Sequence, residues 1–272
     1  MGLVETHRSF VNTWECDENN HWNVQFYFRA FQQAREVFLA ETTSVTGSKA
    51  PEVFHVRYHR ELPAAQSITV RTGMIRDGDF AGWLVHSLEN SETGELSATC
   101  LDSYNGDSSH PAALDQEDAV PAMPRGLAHG PQEPVDSANL LTNGSAIISH
   151  RSIVRPFETD HENDILFHAI VSRFTDGASH IWTHVGLSTD WLDKNNCGRV
   201  AVETRLARLA KVQSGQAIRM VSRVTGRTSK SFEIVHQLEN IADGTPVAIG
   251  NIRCVIMDLE TRKVIPLPDV MT

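Results

Sequence analysis

The chain predicts an α+β fold built twice, as two consecutive domains that each wrap an antiparallel β-sheet around one long helix. Three observations carry this. Apolar residues recur at helical spacing in two places: Val24, Tyr27, Phe28, Phe31, Ala34 and Phe38, and again Leu166, Ile170, Phe174, Ala178 and Ile181. Behind each stripe come four strand-like segments divided by turn residues. Finally, short segments return in the same order. His150-Arg151-Ser152-Ile153-Val154 echoes His7-Arg8-Ser9-Phe10-Val11, Glu158-Thr159-Asp160 echoes Glu15-Cys16-Asp17, and Val235 to Asn240 echoes Val85 to Asn90. A domain-sized repeat in two copies points to duplication rather than to a solenoid.

The elements come in order. His7 to Val11 reads as a short strand, and the first helix runs from Val24 to about Ala40. Glu41 to Pro51, rich in Thr, Ser and Gly, reads as a loop. Val53–Leu62, Ser67–Ile75, Gly82–Leu88 and Leu96–Tyr104 read as the first meander. From Asn105 to about Ser145 five prolines interrupt any period, so residues 106–145 are expected to be a linker without elements of its own. The domains are then 1–105 and 146–272. The second helix spans about Ile165 to Trp182, with Gly177 near its middle allowing close packing or ligand approach. Val202–Lys211, Ala217–Val224, Ser231–Leu238 and Val247–Met257 complete the second meander, and a polar tail closes the chain. Each half is short for an independent core, so the two sheets are expected to pair.

Composition excludes several classes. A formal net charge of -10 argues against nucleic acid as a partner. No apolar run approaches the roughly 20 residues of a membrane-spanning helix, and the first residues lack the pattern of a signal peptide. The four cysteines are scattered without a Cys-x-x-Cys pair, as expected of reduced thiols in a cytoplasmic protein. The thirteen histidines form no metal-binding pattern, and no cofactor fingerprint or Gly-x-Ser-x-Gly elbow occurs.

The chemistry concentrates in Trp14-Glu15-Cys16-Asp17-Glu18-Asn19-Asn20-His21-Trp22-Asn23. Asp17, Asn19, His21 and Asn23 stand at every second position, so in an extended segment they share one face. That face leads into the first helix, whose N-terminal N–H groups and positive dipole end suit a developing oxyanion. The bland reading gives Asp17 a turn and Asn23 an N-cap.

Asp-x-Asn-x-His-x-Asn before an aromatic helix resembles the hotdog-fold thioesterases. It is most similar to the plant acyl-acyl-carrier-protein thioesterases and the 4-hydroxybenzoyl-CoA thioesterase group. Tyr58-His59-Arg60-Glu61 resembles the run that carries a proposed catalytic glutamate in the plant enzymes. Leu62 stands where those enzymes have a cysteine, which turns the expectation away from a cysteine nucleophile. The resemblance implies two tandem hotdog domains and a cofactor-free acyl thioester hydrolase, with a hotdog enoyl-thioester hydratase or dehydratase, or a non-catalytic acyl-binding protein, as the alternatives. It implies Asp17, His21 and Glu61 as catalytic residues: a carboxylate activates water or attacks the carbonyl, and His21 orients the groups or protonates the thiolate. Asn19 and Asn23 would hold the substrate or its oxyanion. Asn163 and Asp176 loosely resemble the asparagine and aspartate of other acyl-CoA thioesterases. The second half keeps Asp160 but has Glu162, Asp164, Leu166 and Lys211 where the first has Asn19, His21, Asn23 and Glu61, so it is expected to be degenerate. The motif lies in the first copy, whereas the plant enzymes carry theirs in the second, which places coenzyme A ahead of a carrier protein as the thiol. A homodimer of such chains is compatible with the resemblance, and no membrane is expected as a partner.

Overall fold

The computed structural model describes residues 2–42, 52–104 and 112–271. The chain divides into two compact units, residues 1–125 and 126–272. In the first, β1 (Val4–Phe10) leads through a 3-10 turn into α1 (Val24–Thr42), and β2 (Val53–Tyr58), β3 (Ser67–Ile75), β4 (Leu84–Asn90) and β5 (Leu96–Asp102) follow. The strands lie side by side in the order β1-β3-β4-β5-β2, each antiparallel to its neighbour. The helical stripe does what its spacing predicts: Phe28, Phe31 and Phe38 are fully buried. Phe28 meets Phe54 of β2 at 6.1 Å between ring centroids, and Phe31 meets His86 of β4 at 5.8 Å. Each such ring contributes about 1.5–3 kcal/mol on burial. Most of the predicted loop, residues 43–51, lies outside the described residues.

The expected linker is corrected in part. Residues 105–111 lie outside the described residues, but the chain beyond them carries β6 (Ala113–Leu114), a 3-10 stretch (Gln116–Ala122) and helix α2 (Ser137–Thr142), capped by the Asp136 carboxylate. β6 runs parallel to the end of β3. Leu114, Ala119, Ala122 and Met123 pack on Ile75, Phe80, Val85 and Leu101. Val85 alternates with Leu84 and His86, which serve the face toward α1, so this segment covers the opposite face of the sheet. Its apolar residues are too few and too unevenly spaced to show a period.

In the second unit, β7 (Ile147–Ile153), α3 (Phe167–His184), α4 (Thr189–Lys194), β8 (Cys197–Arg208), β9 (Ala217–Thr225), β10 (Ser231–Asn240), β11 (Pro246–Asp258) and the short β12 (Lys263–Val264) repeat the plan. The main strand order is β8-β11-β10-β9-β7. Both units are thus the expected hotdog arrangement. β8 begins before the expected Val202, and α4, capped by the Ser188 hydroxyl, is too short for its periodicity to register. Phe174 and Ile181 are buried as their spacing predicts. Gly177 serves packing: a Cβ there would stand 3.1 Å from the Ser149 carbonyl oxygen and press on Met220. The chain from Gly126 to Ser137 lies along the unit's sheet. The Gly126 N–H donates to Glu203 at 2.6 Å, Arg205 to the Gly130 carbonyl at 2.9 Å, and the Val135 N–H to Gln237 at 2.8 Å. Among the described residues, no helix is long and apolar enough to cross a membrane.

A polar thread runs through this core. Ser149 and Ser222 share a hydrogen bond of 2.5 Å, Ser222 and His236 Nδ1 one of 2.6 Å, and the imidazole stacks on Phe174 at 4.7 Å. Burial pushes His236 down from 6.5 to about 3. The unfolded chain therefore takes up a proton near pH 6.5 that the folded chain refuses, so this group's contribution is intact above 6.5 and declines as pH falls toward 3. Within that window each pH unit costs about 1.4 kcal/mol per such group. Denaturant unfolding at pH 7 and pH 4.5 is expected to show a steep loss that flattens in His236→Gln. An unchanged slope in that variant would refute the assignment.

Candidate active site

The motif does not form the extended face that its alternation suggests. It folds into a closed loop between β1 and α1, because Asp17 and Asn20 favour a turn. Cys16 and Trp22 pair across an antiparallel bridge, and the Asp17 N–H donates to the His21 carbonyl at 2.8 Å. Asn20 takes φ 61°, in the left-handed region that asparagine tolerates. Asp17 Oδ1 accepts the N–H groups of Asn19 at 2.9 Å and His21 at 3.0 Å, while its Oδ2 accepts none from the described residues. Burial is the largest influence on this carboxyl and raises its pKa above the usual range, with the two main-chain donors opposing. Asn23 caps α1, its Oδ1 accepting the Gln25 N–H at 3.1 Å.

Glu61 arrives from a distant segment. β2 stops at Tyr58, short of the expected Leu62, because the chain then leaves the sheet to meet the loop. The Trp22 N–H donates to the Leu62 carbonyl at 2.7 Å, and His21 pairs with Pro63 in an isolated bridge. His21 Nε2 stands 3.4 Å from Glu61 Oε2, with the two side chains 23% and 33% exposed. Imidazole and carboxylate thus meet at a point that solvent reaches.

One neighbour escapes a reading of the sequence. Tyr27 belongs to the apolar stripe of α1, yet its phenol meets the main chain at Leu62, within electrostatic range of Tyr58, Glu61 and Asp17. Burial pushes it far up, so it stays protonated. Its ring touches Tyr58 edge-on at 5.3 Å. A stripe at period 3.6 marks such a residue as core and says nothing of its polar tip.

The second unit builds the same loop without the same groups. Asp160 Oδ1 accepts the N–H groups of Glu162 at 2.8 Å and Asp164 at 2.9 Å, and Asn163 takes φ 58° as Asn20 does. The Ile165 N–H donates to the Val212 carbonyl at 2.9 Å, matching Trp22 and Leu62. In the place of His21, Asp164 is buried and paired with Arg208; Glu162 and Lys211 form an ion pair at 2.6 Å. Asn163 is a turn residue whose Oδ1 accepts the Ser214 N–H at 3.3 Å. Asp176 is exposed about 14 Å along α3 from that helix's start, by the rise per residue. These two residues are not brought together.

A carboxylate paired with an imidazole, with a second carboxylate in the same loop and a helix N-terminus beside it, can activate water, hold an oxyanion on main-chain donors and protonate a leaving group. No protein of curated function matches the sequence. Solved structures share the fold over nearly the whole chain. A Lactobacillus plantarum protein provisionally named an oleoyl thioesterase is 12% identical, with TM-score 0.63, covering 93% of this chain and 96% of its own. An acyl-ACP thioesterase of Bacteroides thetaiotaomicron is 7% identical, with TM-score 0.58, over 92% and 96%. The 12:0-ACP thioesterase of Umbellularia californica is 11% identical, with TM-score 0.57, over 91% and 92%. At these identities the likeness is one of fold. In sequence, residues 11–105 and 154–272 match the thioesterase-like superfamily, so most of each unit and both motif loops lie within the match, and the chain belongs to that superfamily.

Proposed function

We propose that the chain hydrolyses an acyl thioester at the site formed by Asp17, His21 and Glu61. The observation that carries this reading is the 3.4 Å approach of His21 Nε2 and Glu61 Oε2, made by two separate segments in one unit and replaced by structural ion pairs in the other. Glu61, polarised by His21, takes a proton from water as the water oxygen attacks the thioester carbonyl. Asn19, Asn23 and the first turn of α1 supply donors for the oxyanion. Glu61 passes that proton to His21 across their 3.4 Å contact, and when the carbon–sulfur bond breaks His21 gives it to the departing thiolate, which leaves Glu61 ionised again. Asp17 fixes the loop and sets its charge within electrostatic range of His21. Asn163 and Asp176 stay outside this mechanism. Coenzyme A is the favoured thiol, since the motif stands in the first copy, unlike that of the plant carrier-protein enzymes it resembles. The four unpaired cysteines suit a reducing cytoplasm.

Release of free thiol from a panel of acyl-CoAs tests this. Thiol appearing with the acid supports hydrolysis. A change in enoyl absorbance without thiol, or binding with neither, would replace it by the hydratase or the acyl-binding reading. In the same assay Asp17→Asn keeps an oxygen for both main-chain donors and removes only the charge. It is expected to lower hydrolysis at least about tenfold, while Asp160→Asn leaves it within about twofold. The reverse order would move the site to the other half.

A further inference from the structure

Each unit closes its motif loop with a carboxylate. Glu15, 3% exposed, accepts Arg29 at 2.6 Å, and its carbonyl accepts the Asn23 N–H at 2.9 Å. Glu158 takes Arg173 at 2.7 and 2.8 Å, and its carbonyl accepts the Leu166 N–H at 2.9 Å. This much is common to both units and belongs to the fold. The first unit adds one bond: Trp22 Nε1–H donates to Glu15 Oε2 at 3.0 Å. The same register puts Ile165 in that place in the second unit, where no side-chain donor exists.

The ring contacts of Trp22 are also confined to the first unit. Its buried indole lies 4.6 Å from the Tyr27 ring at 54°, and Tyr27 in turn meets Tyr58. The second unit has Ile170 and Arg208 at these two places. The Tyr27 phenol reaches the main chain at Leu62, next to Glu61. A chain of contacts therefore runs from Glu15 through Trp22 and Tyr27 to the main chain at Leu62, next to the residue whose carboxylate faces His21, and it occurs only in the unit that has that pair.

Resting on the hydrolase reading above, we infer that Trp22 is a positioning residue of the site, steered by Glu15 through its indole N–H and acting on Glu61 through Tyr27. It touches no substrate. Its bond to Glu15 fixes the rotation of the indole, and the indole sets where the phenol meets the segment that bears Glu61.

Trp22→Phe removes the N–H and keeps a ring, so steady-state thiol release with this variant tests the role. The expected result is a kcat about tenfold lower with KM within about twofold, because a displaced catalytic group costs turnover rather than ground-state binding. The acid limb of the kcat–pH profile is expected to move, which a purely structural loss would not cause. Glu158→Gln, which weakens the corresponding clamp in the second unit, serves as the control: its melting temperature falls while kcat and the profile hold. An active wild-type protein with unaltered kcat and profile in Trp22→Phe overturns the inference alone, as does a Glu158→Gln variant that loses kcat to the same extent. A wild-type protein that releases no thiol overturns the hydrolase reading and this inference with it.

Discussion

Glu61→Gln is expected to lower kcat for thioester hydrolysis by about 10²–10⁴-fold, the usual contribution of a positioned general base. The amide keeps the shape of the side chain and its place 3.4 Å from His21, and loses only the ability to take a proton. His21→Ala is expected to fall in the same range. The double variant should cost little more than the worse single change, because groups that act as a unit lose their effect together. Thiol-release kinetics on the four proteins of this cycle decide it. Fully multiplicative losses would detach Glu61 from His21 and leave Asp17 as the base.

The second large effect concerns stability. Arg35 on α1 and Asp102 on β5 are 3% and 0% exposed, and Nη1 of Arg35 donates to both carboxylate oxygens at 2.6 and 2.5 Å. His86, equally buried, stands 3.6 Å from the same carboxylate. Asp102→Ala removes the buried carboxylate that faces the Arg35 guanidinium, at a cost of about 3–5 kcal/mol. The second unit is an internal comparison: by strand register Ile252 takes the place of Asp102, and by position from the helix start Ala178 takes that of Arg35, so the fold accepts apolar residues at both places. Replacing both residues, with Arg35→Met and Asp102→Leu, should therefore return stability to within about 1–2 kcal/mol of the wild type. Chemical denaturation measures all three proteins. A loss below about 1 kcal/mol for Asp102→Ala would refute the expectation.

The fold was legible because its signals are strong and repeated. Two long apolar stripes and two sets of alternating strands leave few other architectures, and the echo of His7–Val11 in His150–Val154 exposed the duplication. The site was legible only in part. Asp17 and His21 stood out as polar residues at a helix start, but their alternation suggested an open face, and the Asx geometry of Asp17 closes a loop instead. Glu61 is legible only through a family pattern. Nothing in local spacing reveals that the chain from His59 to Pro63 turns toward Trp22, since a pairing between distant segments has no local period. Tyr27, Trp22 and Glu15 were hidden for a related reason. An aromatic residue on an apolar stripe carries its hydrogen-bonding tip unannounced, and a buried glutamate reads as a surface charge until its partners are in place.

The segment after β5 alters where the first half of the molecule should be thought to end. Cut at residue 105, that half would present Ile75, Phe80, Val85 and Leu101 to water as one adjoining apolar surface, the kind through which chains adhere to one another. Continued to residue 125, it carries its own seal. Residues 113–123 of the proline-rich stretch are thus the lid of a core, and their sequence is constrained by what they keep dry.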